Sequence, residues 1–238
     1  MATVDGQFYF RFADMEKKMP PQYGSRDFMA NPSQFMRDNI IVPHHAAIGT
    51  DQASGRIHQM CLVLGGAQGK QTGRDLPVYI LTKFSTTHPQ DQGFFAYWCP
   101  YNQNETLSCN LGNGARYMFT ATMDGCSFGI GTQTGGGCRV AHANEGRHGG
   151  KLNEAGLSLD QAREQQRLTQ RNSLWSKLGS SQINIIQPRD YMLDIDGEFA
   201  LKSTTFGLHD LGRPWSFYTQ RYWRNGNKLF LRDVTQQL

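Results

Sequence analysis

The chain has 238 residues, a formal net charge of +4 and 18% charged residues, and a chain of this size buries a sizeable core without disulfides or metals. Its Lys and Arg are dispersed apart from a weak cluster at Arg213, Arg221, Arg224 and Lys228, which argues against the concentrated basic stripe of a nucleic-acid-binding protein. The five cysteines, Cys61, Cys99, Cys109, Cys126 and Cys138, form an odd, scattered set without a CxxC pair, so neither a disulfide framework nor a structural zinc site is expected.

Residues 1–6 lack a basic region followed by an apolar run, and no later window approaches the length of a membrane span. A soluble protein without a standard secretion signal is expected, and any export requires a signal-independent route. No Pro/Ser-rich linker or charge block divides the chain, so residues 1–238 read as one domain.

In chain order, Phe8, Phe10 and Phe12 alternate with Tyr9 and Arg11, which predicts a first strand over 7–12. Asn31-Pro32 offers an N-cap and an N1 proline for a short helix over 33–38. His44 and His45 are adjacent, and strand neighbours point to opposite faces, so a loop is preferred to a metal site. Residues 57–64 read as a strand. Gly65 to Lys70 superficially resembles a phosphate-binding loop, but Leu64 and Gln71 break the required spacing, which leaves a hairpin turn. Strands are predicted over 76–84 and 94–99, with His88 in the loop between them.

Ser158 and Gln161 form a capping box, 159–178 is rich in helix formers, and Gly179 supplies the stop. The apolar positions Ala162, Leu168, Trp175 and Leu178 predict a surface helix lying against a sheet. Strands follow over 183–186, 198–204, 217–223 and 228–234, the last two joined at Asn225-Gly226. Asp194 and Asp196 sit in too short a segment for a calcium loop. Many strands with few helices predict an α+β fold built on a large mixed or antiparallel sheet sandwich.

The chemistry concentrates around Cys126. Tyr117, Phe119, Ala121 and Met123 alternate with Met118, Thr120 and Thr122, a strand pattern that runs into Asp124-Gly125-Cys126, where Gly125 permits a sharp bend. A second strand over 138–143 puts Cys138, Val140 and His142 on one face. Neighbouring strands would bring His142 to Cys126, and a thiol ionises readily only beside a cation such as imidazolium. The glycines between Gly131 and Gly137 offer unshielded backbone N–H groups for an oxyanion.

The run from Tyr117 to Cys126, with His142 sixteen residues further on, resembles the Cys–His toxin deamidases, the family of the cytotoxic necrotizing factor catalytic domain and Burkholderia lethal factor. About 30 of the 238 residues carry the likeness. The family usually has Ser-Gly-Cys where this chain has Asp124-Gly125-Cys126, so Asp124 is expected to face solvent or bind backbone donors, away from the thiol. The resemblance implies a sheet sandwich flanked by helices. It implies conversion of a host-protein glutamine to glutamate, with Rho-type GTPases and a translation initiation factor as the family's targets and no cofactor, metal or membrane partner.

It also implies that His142 is oriented by a main-chain carbonyl, which spacing puts at Thr120, so that Thr120→Val should keep most activity. The reading of the residues leaves other classes open. The same dyad serves a cysteine peptidase, an amidase or a transglutaminase, and a non-catalytic binding domain would need neither Cys126 nor His142.

Overall fold

The computed structural model describes residues 22–49, 57–133, 137–145, 156–179, 182–192, 201–210 and 212–237. The strand expected over 7–12 lies outside the described residues. The described residues begin with two helices, α1 (Ser25–Ala30) and α2 (Pro32–Asp38), the second capped as its sequence predicts by the Asn31 side chain accepting from Gln34 N at 3.1 Å. Then come β1 (Ile40–Pro43), α3 (His45–Ile48), β2 (Ile57–Leu64), β3 (Gln68–Gln71), β4 (Arg74–Leu76), β5 (Val78–Lys83), β6 (Phe94–Cys99) and β7 (Thr106–Leu111). The site region follows with β8 (Tyr117–Thr120), β9 (Ser127–Thr132) and β10 (Cys138–Ala143), and the chain continues through α4 (Leu159–Leu178), β11 (Ile183–Ile186) and α5 (Pro188–Tyr191). It closes with β12 (Lys202–Leu208), β13 (Ser216–Asn225) and β14 (Lys228–Gln236).

The fold is α+β, as expected. A ten-stranded mixed sheet runs β1-β5-β2-β6-β8-β12-β13-β14-β3-β4, and a four-stranded antiparallel sheet runs β11-β9-β10-β7. Alternation along β8 shows how the layers stack. Tyr117 and Phe119 join Phe28 of α1 and Phe35 and Met36 of α2 on one side of the large sheet. Met118 faces the other way and packs with Phe128, Ile130, Cys138 and Val140 of the small sheet. Helix α4 covers the outer face of the small sheet through Leu174 and Leu178, which pack on Ala141 and Ala143. That approach needs a small residue on β9, since a Cβ on Gly129 would lie 2.7 Å from Leu178 and 3.1 Å from Leu174.

Several sequence expectations are corrected. His45 opens a short helix where a loop was expected. Gln68 to Gln71 is a strand paired between β14 and β4 and not part of a turn, and Pro77 splits the strand expected over 76–84. The expected strand over 117–123 stops at Thr120, with Met123 retaining a single bridge to Ser203. The α4 capping box and its left-handed Gly179 stop are as the sequence predicts. Of its expected inward stripe Ala162 and Leu178 are buried, but Leu168 and Trp175 are 40% and 47% exposed, and Gln170 and Leu174 are fully buried in their stead.

A candidate Cys–His site between the sheets

Cys126 sits one residue ahead of β9, after Gly125 has turned the chain with φ 88°. His142 lies on β10 opposite Phe128. Cross-strand partners share a face, so Cys126, Phe128 and His142 all point into the space between the sheets. Continuing the register beyond Ser127↔Ala143 brings Asn144 opposite Cys126, and the Cys126 Sγ hydrogen-bonds Asn144 Oδ1 at 3.4 Å.

Thr120 reaches this space from the large sheet. Its hydroxyl donates to the Cys99 carbonyl at 3.0 Å and lies 2.8 Å from His142 Nδ1. A hydroxyl has one proton to give, so Nδ1 is the donor to Thr120 Oγ1 and Nε2 carries the free lone pair. Nε2 is buried and has no hydrogen-bond partner among the described residues. The group that holds His142 is therefore the Thr120 side chain, which corrects the main-chain carbonyl expected there and reverses the expectation for Thr120→Val.

Burial, reinforced by the nearby His45, pushes the His142 pKa down to about 3. The imidazole is neutral at physiological pH, so the expected resting pair of thiolate and imidazolium is replaced by a neutral ring with an open acceptor. An unfolded imidazole binds its proton near pH 6.5, whereas His142 in the fold binds one only near pH 3. The unfolded state thus holds more protons between these values, so this contribution is complete above pH 6.5 and is lost as pH falls toward 3. His45, pushed down to about 4 by burial and then by His44, acts in the same direction. The melting midpoint is expected to fall steadily from pH 7 to pH 4, less steeply in His142→Leu; equal slopes in the two proteins would contradict the burial of a neutral His142.

The Gly125-Cys126 turn is clamped from two sides. The Tyr191 hydroxyl, fully buried on α5, accepts from Gly125 N at 3.0 Å and donates to the Cys126 carbonyl at 2.7 Å. Gln170 of α4 donates from Nε2 to the carbonyls of Gly125 and Glu145, both at 3.1 Å, and accepts from the Ser127 hydroxyl at 2.6 Å. Neither residue is marked in the sequence by spacing to Cys126, whereas Asn144 is legible as the next residue on the His142 face. Tyr191→Phe strands one buried donor and one buried acceptor, which is expected to cost about 2–3 kcal/mol and lower the midpoint by roughly 5–10 °C. An unchanged midpoint in a thermal melt would remove Tyr191 as the clamp.

Asp124, expected to face solvent or bind backbone donors, is partly exposed and pairs with the Lys202 ammonium at 2.9 Å. The described start of the glycine loop does not reach Cys126. Gly131 and Thr132 end β9, five or six residue steps from Cys126, roughly 17–20 Å at strand rise. Gln133 N closes that loop on the Gly137 carbonyl at 2.8 Å, and residues 134–136 lie outside the described residues.

Of the competing histidines, His88 stands 3.5 Å from Cys61 and accepts from Ser85 N at 3.0 Å, while His148 lies outside the described residues. Burial raises the Cys61 thiol to about 11 and Cys138 to about 12, and holds Cys99 well above its ordinary value. These three are poor nucleophiles. Among the described residues no group of His, Cys, Asp or Glu is arranged to hold a metal ion. The chain matches no protein-family model and no curated protein sequence.

Proposed function

We propose that this chain is a bacterial toxin or effector that deamidates a glutamine of a host protein, with Cys126 as nucleophile and His142 as base and acid. The observation that carries the reading is His142 itself: Nδ1 is held by Thr120, and Nε2 has no hydrogen-bond partner among the described residues, on the face that Cys126 shares. In the first half-reaction the thiol proton moves to Nε2 as Sγ bonds to the carboxamide carbon. The imidazolium then gives that proton to the nitrogen as the C–N bond breaks and ammonia leaves. In the second, Nε2 takes a proton from water, the hydroxide attacks the thioester, and glutamate departs as the thiol is restored.

His142 carries every proton in the cycle, so the reaction calls for no cofactor. The resemblance supplies the partner class, a Rho-type GTPase or a translation initiation factor, and with it action in the target-cell cytosol after secretion without a standard signal. Incubation with such proteins and peptide mass spectrometry tests the reading. A gain of about one dalton on a single glutamine, absent with Cys126→Ala, supports it. Peptide fragments would instead indicate a peptidase, and an amine adduct a transglutaminase.

A second reading, a non-catalytic binding domain, is favoured by burial, since His142 is 0% and Cys126 5% exposed. Under it the Thr120–His142 bond is a core contact, and no Cys126-dependent modification appears on any partner.

A further inference from the structure

On taking the thiol proton His142 becomes an imidazolium committed to the leaving nitrogen, and Gly131, the described glycine of the loop nearest Cys126 in the chain, lies near the far end of β9. The negative oxygen formed when sulfur adds to a carboxamide must find its donor elsewhere. The side chain against the sulfur is Asn144, with Oδ1 3.4 Å from Sγ. Its backbone is pinned on both sides: Asn144 N donates to the Glu105 carbonyl at 3.0 Å and its carbonyl accepts from Asn104 N at 3.1 Å. The next carbonyl, that of Glu145, is held by Gln170. Asn144 is 8% exposed, and its Nδ2 makes no hydrogen bond to the described residues.

Resting on the deamidase reading, we propose that Asn144 is a further catalytic residue, whose Nδ2–H donates to the substrate oxygen as the carbonyl carbon bonds to Cys126. The balance is simple. The thiol proton goes to His142 Nε2, the S–C bond forms, the carbonyl π pair moves onto oxygen, and Asn144 hydrogen-bonds that oxygen without giving up a proton. On collapse the pair returns, C–N breaks, and His142 protonates the ammonia. Oδ1 accepts the resting S–H and Nδ2 serves the oxyanion, so one fixed carboxamide attends both states of the site.

The test uses two reagents on the full chain. p-Nitrophenyl acetate acylates a thiol through an oxyanion, whereas iodoacetamide alkylates at a saturated carbon and forms none. Asn144→Ala is expected to slow Cys126-dependent nitrophenolate release by about 10²–10³-fold while leaving the Cys126 alkylation rate within a few fold of wild type. Asn144→Leu, which keeps the approximate size and the neutral charge and removes the N–H donors, should lose the same acylation rate and guards against misfolding of the alanine variant. Acylation near the wild-type rate in both variants overturns the inference, as does an equal loss of acylation and alkylation, which would make Asn144 a support of the thiol. Release that persists in Cys126→Ala, or no release from wild type, would instead count against the deamidase reading.

Discussion

Replacing Cys126 by alanine is expected to abolish glutamine deamidation, to below the detection limit of peptide mass spectrometry, with the melting midpoint shifted by only a few degrees. In the proposed reaction the sulfur forms the bond that splits it in two, and its described neighbours do not replace it: Asn144 is a neutral amide and Tyr191 is committed to Gly125 and the Cys126 carbonyl. The fold keeps the turn because Tyr191 and Gln170 grip backbone atoms that alanine retains. Circular dichroism checks that point, and residual deamidation by the alanine variant would move the nucleophile elsewhere.

Thr120→Val is expected to cost about 10²–10⁴-fold in turnover, the scale seen when the orienting partner of a catalytic histidine is lost. Valine matches threonine in shape and suits a strand, so β8 stays in place. Nδ1 loses the acceptor that fixes the tautomer, and the proton is free to sit on Nε2, where it blocks proton uptake from the thiol. Thr120→Ser retains the hydroxyl and should retain most of the turnover. Kinetics of the pair decide the matter, since equal activity in the two variants would restore the main-chain carbonyl as the orienting group.

The sequence reading brought His142 toward Cys126 through neighbouring strands, whereas in the structure the two face one space without a hydrogen bond between Nε2 and the thiol. It expected the strand before Cys126 to pair with the strand of His142. The partner is instead the strand after it, Ser127 to Thr132, where Phe128 and Ile130 point inward and Gly129 leaves room for α4. Glycines required by a covering helix look like loop glycines in a sequence, because strand preference reflects packing that is not yet visible.

Helix α4 was legible in its ends and only partly in its face, where Ala162 and Leu178 are buried but Leu168 and Trp175 are not. Caps depend on residues three apart, but Gln170 is buried only because Gly125, Ser127 and Glu145 converge on it from elsewhere in the chain. Thr120 was found by spacing and given the wrong atom. Its role follows from a bond to Cys99 on β6, a strand that no local pattern ties to β8. The α+β class was readable from the count and spacing of strands, whereas the division into sheets of ten and four strands rests on long-range pairing.

The central claim, that His142 activates Cys126, needs no knowledge of the substrate to be tested. Native protein treated briefly with iodoacetamide at pH 7 and analysed by peptide mass spectrometry should carry its label on Cys126, ahead of Cys61, Cys99 and Cys138, whose thiols burial holds in the protonated form. In His142→Ala that labelling should slow by at least about tenfold at pH 7 and recover as pH rises, because the base that takes the thiol proton is gone. Equal labelling rates in wild type and His142→Ala across the pH range would contradict the account.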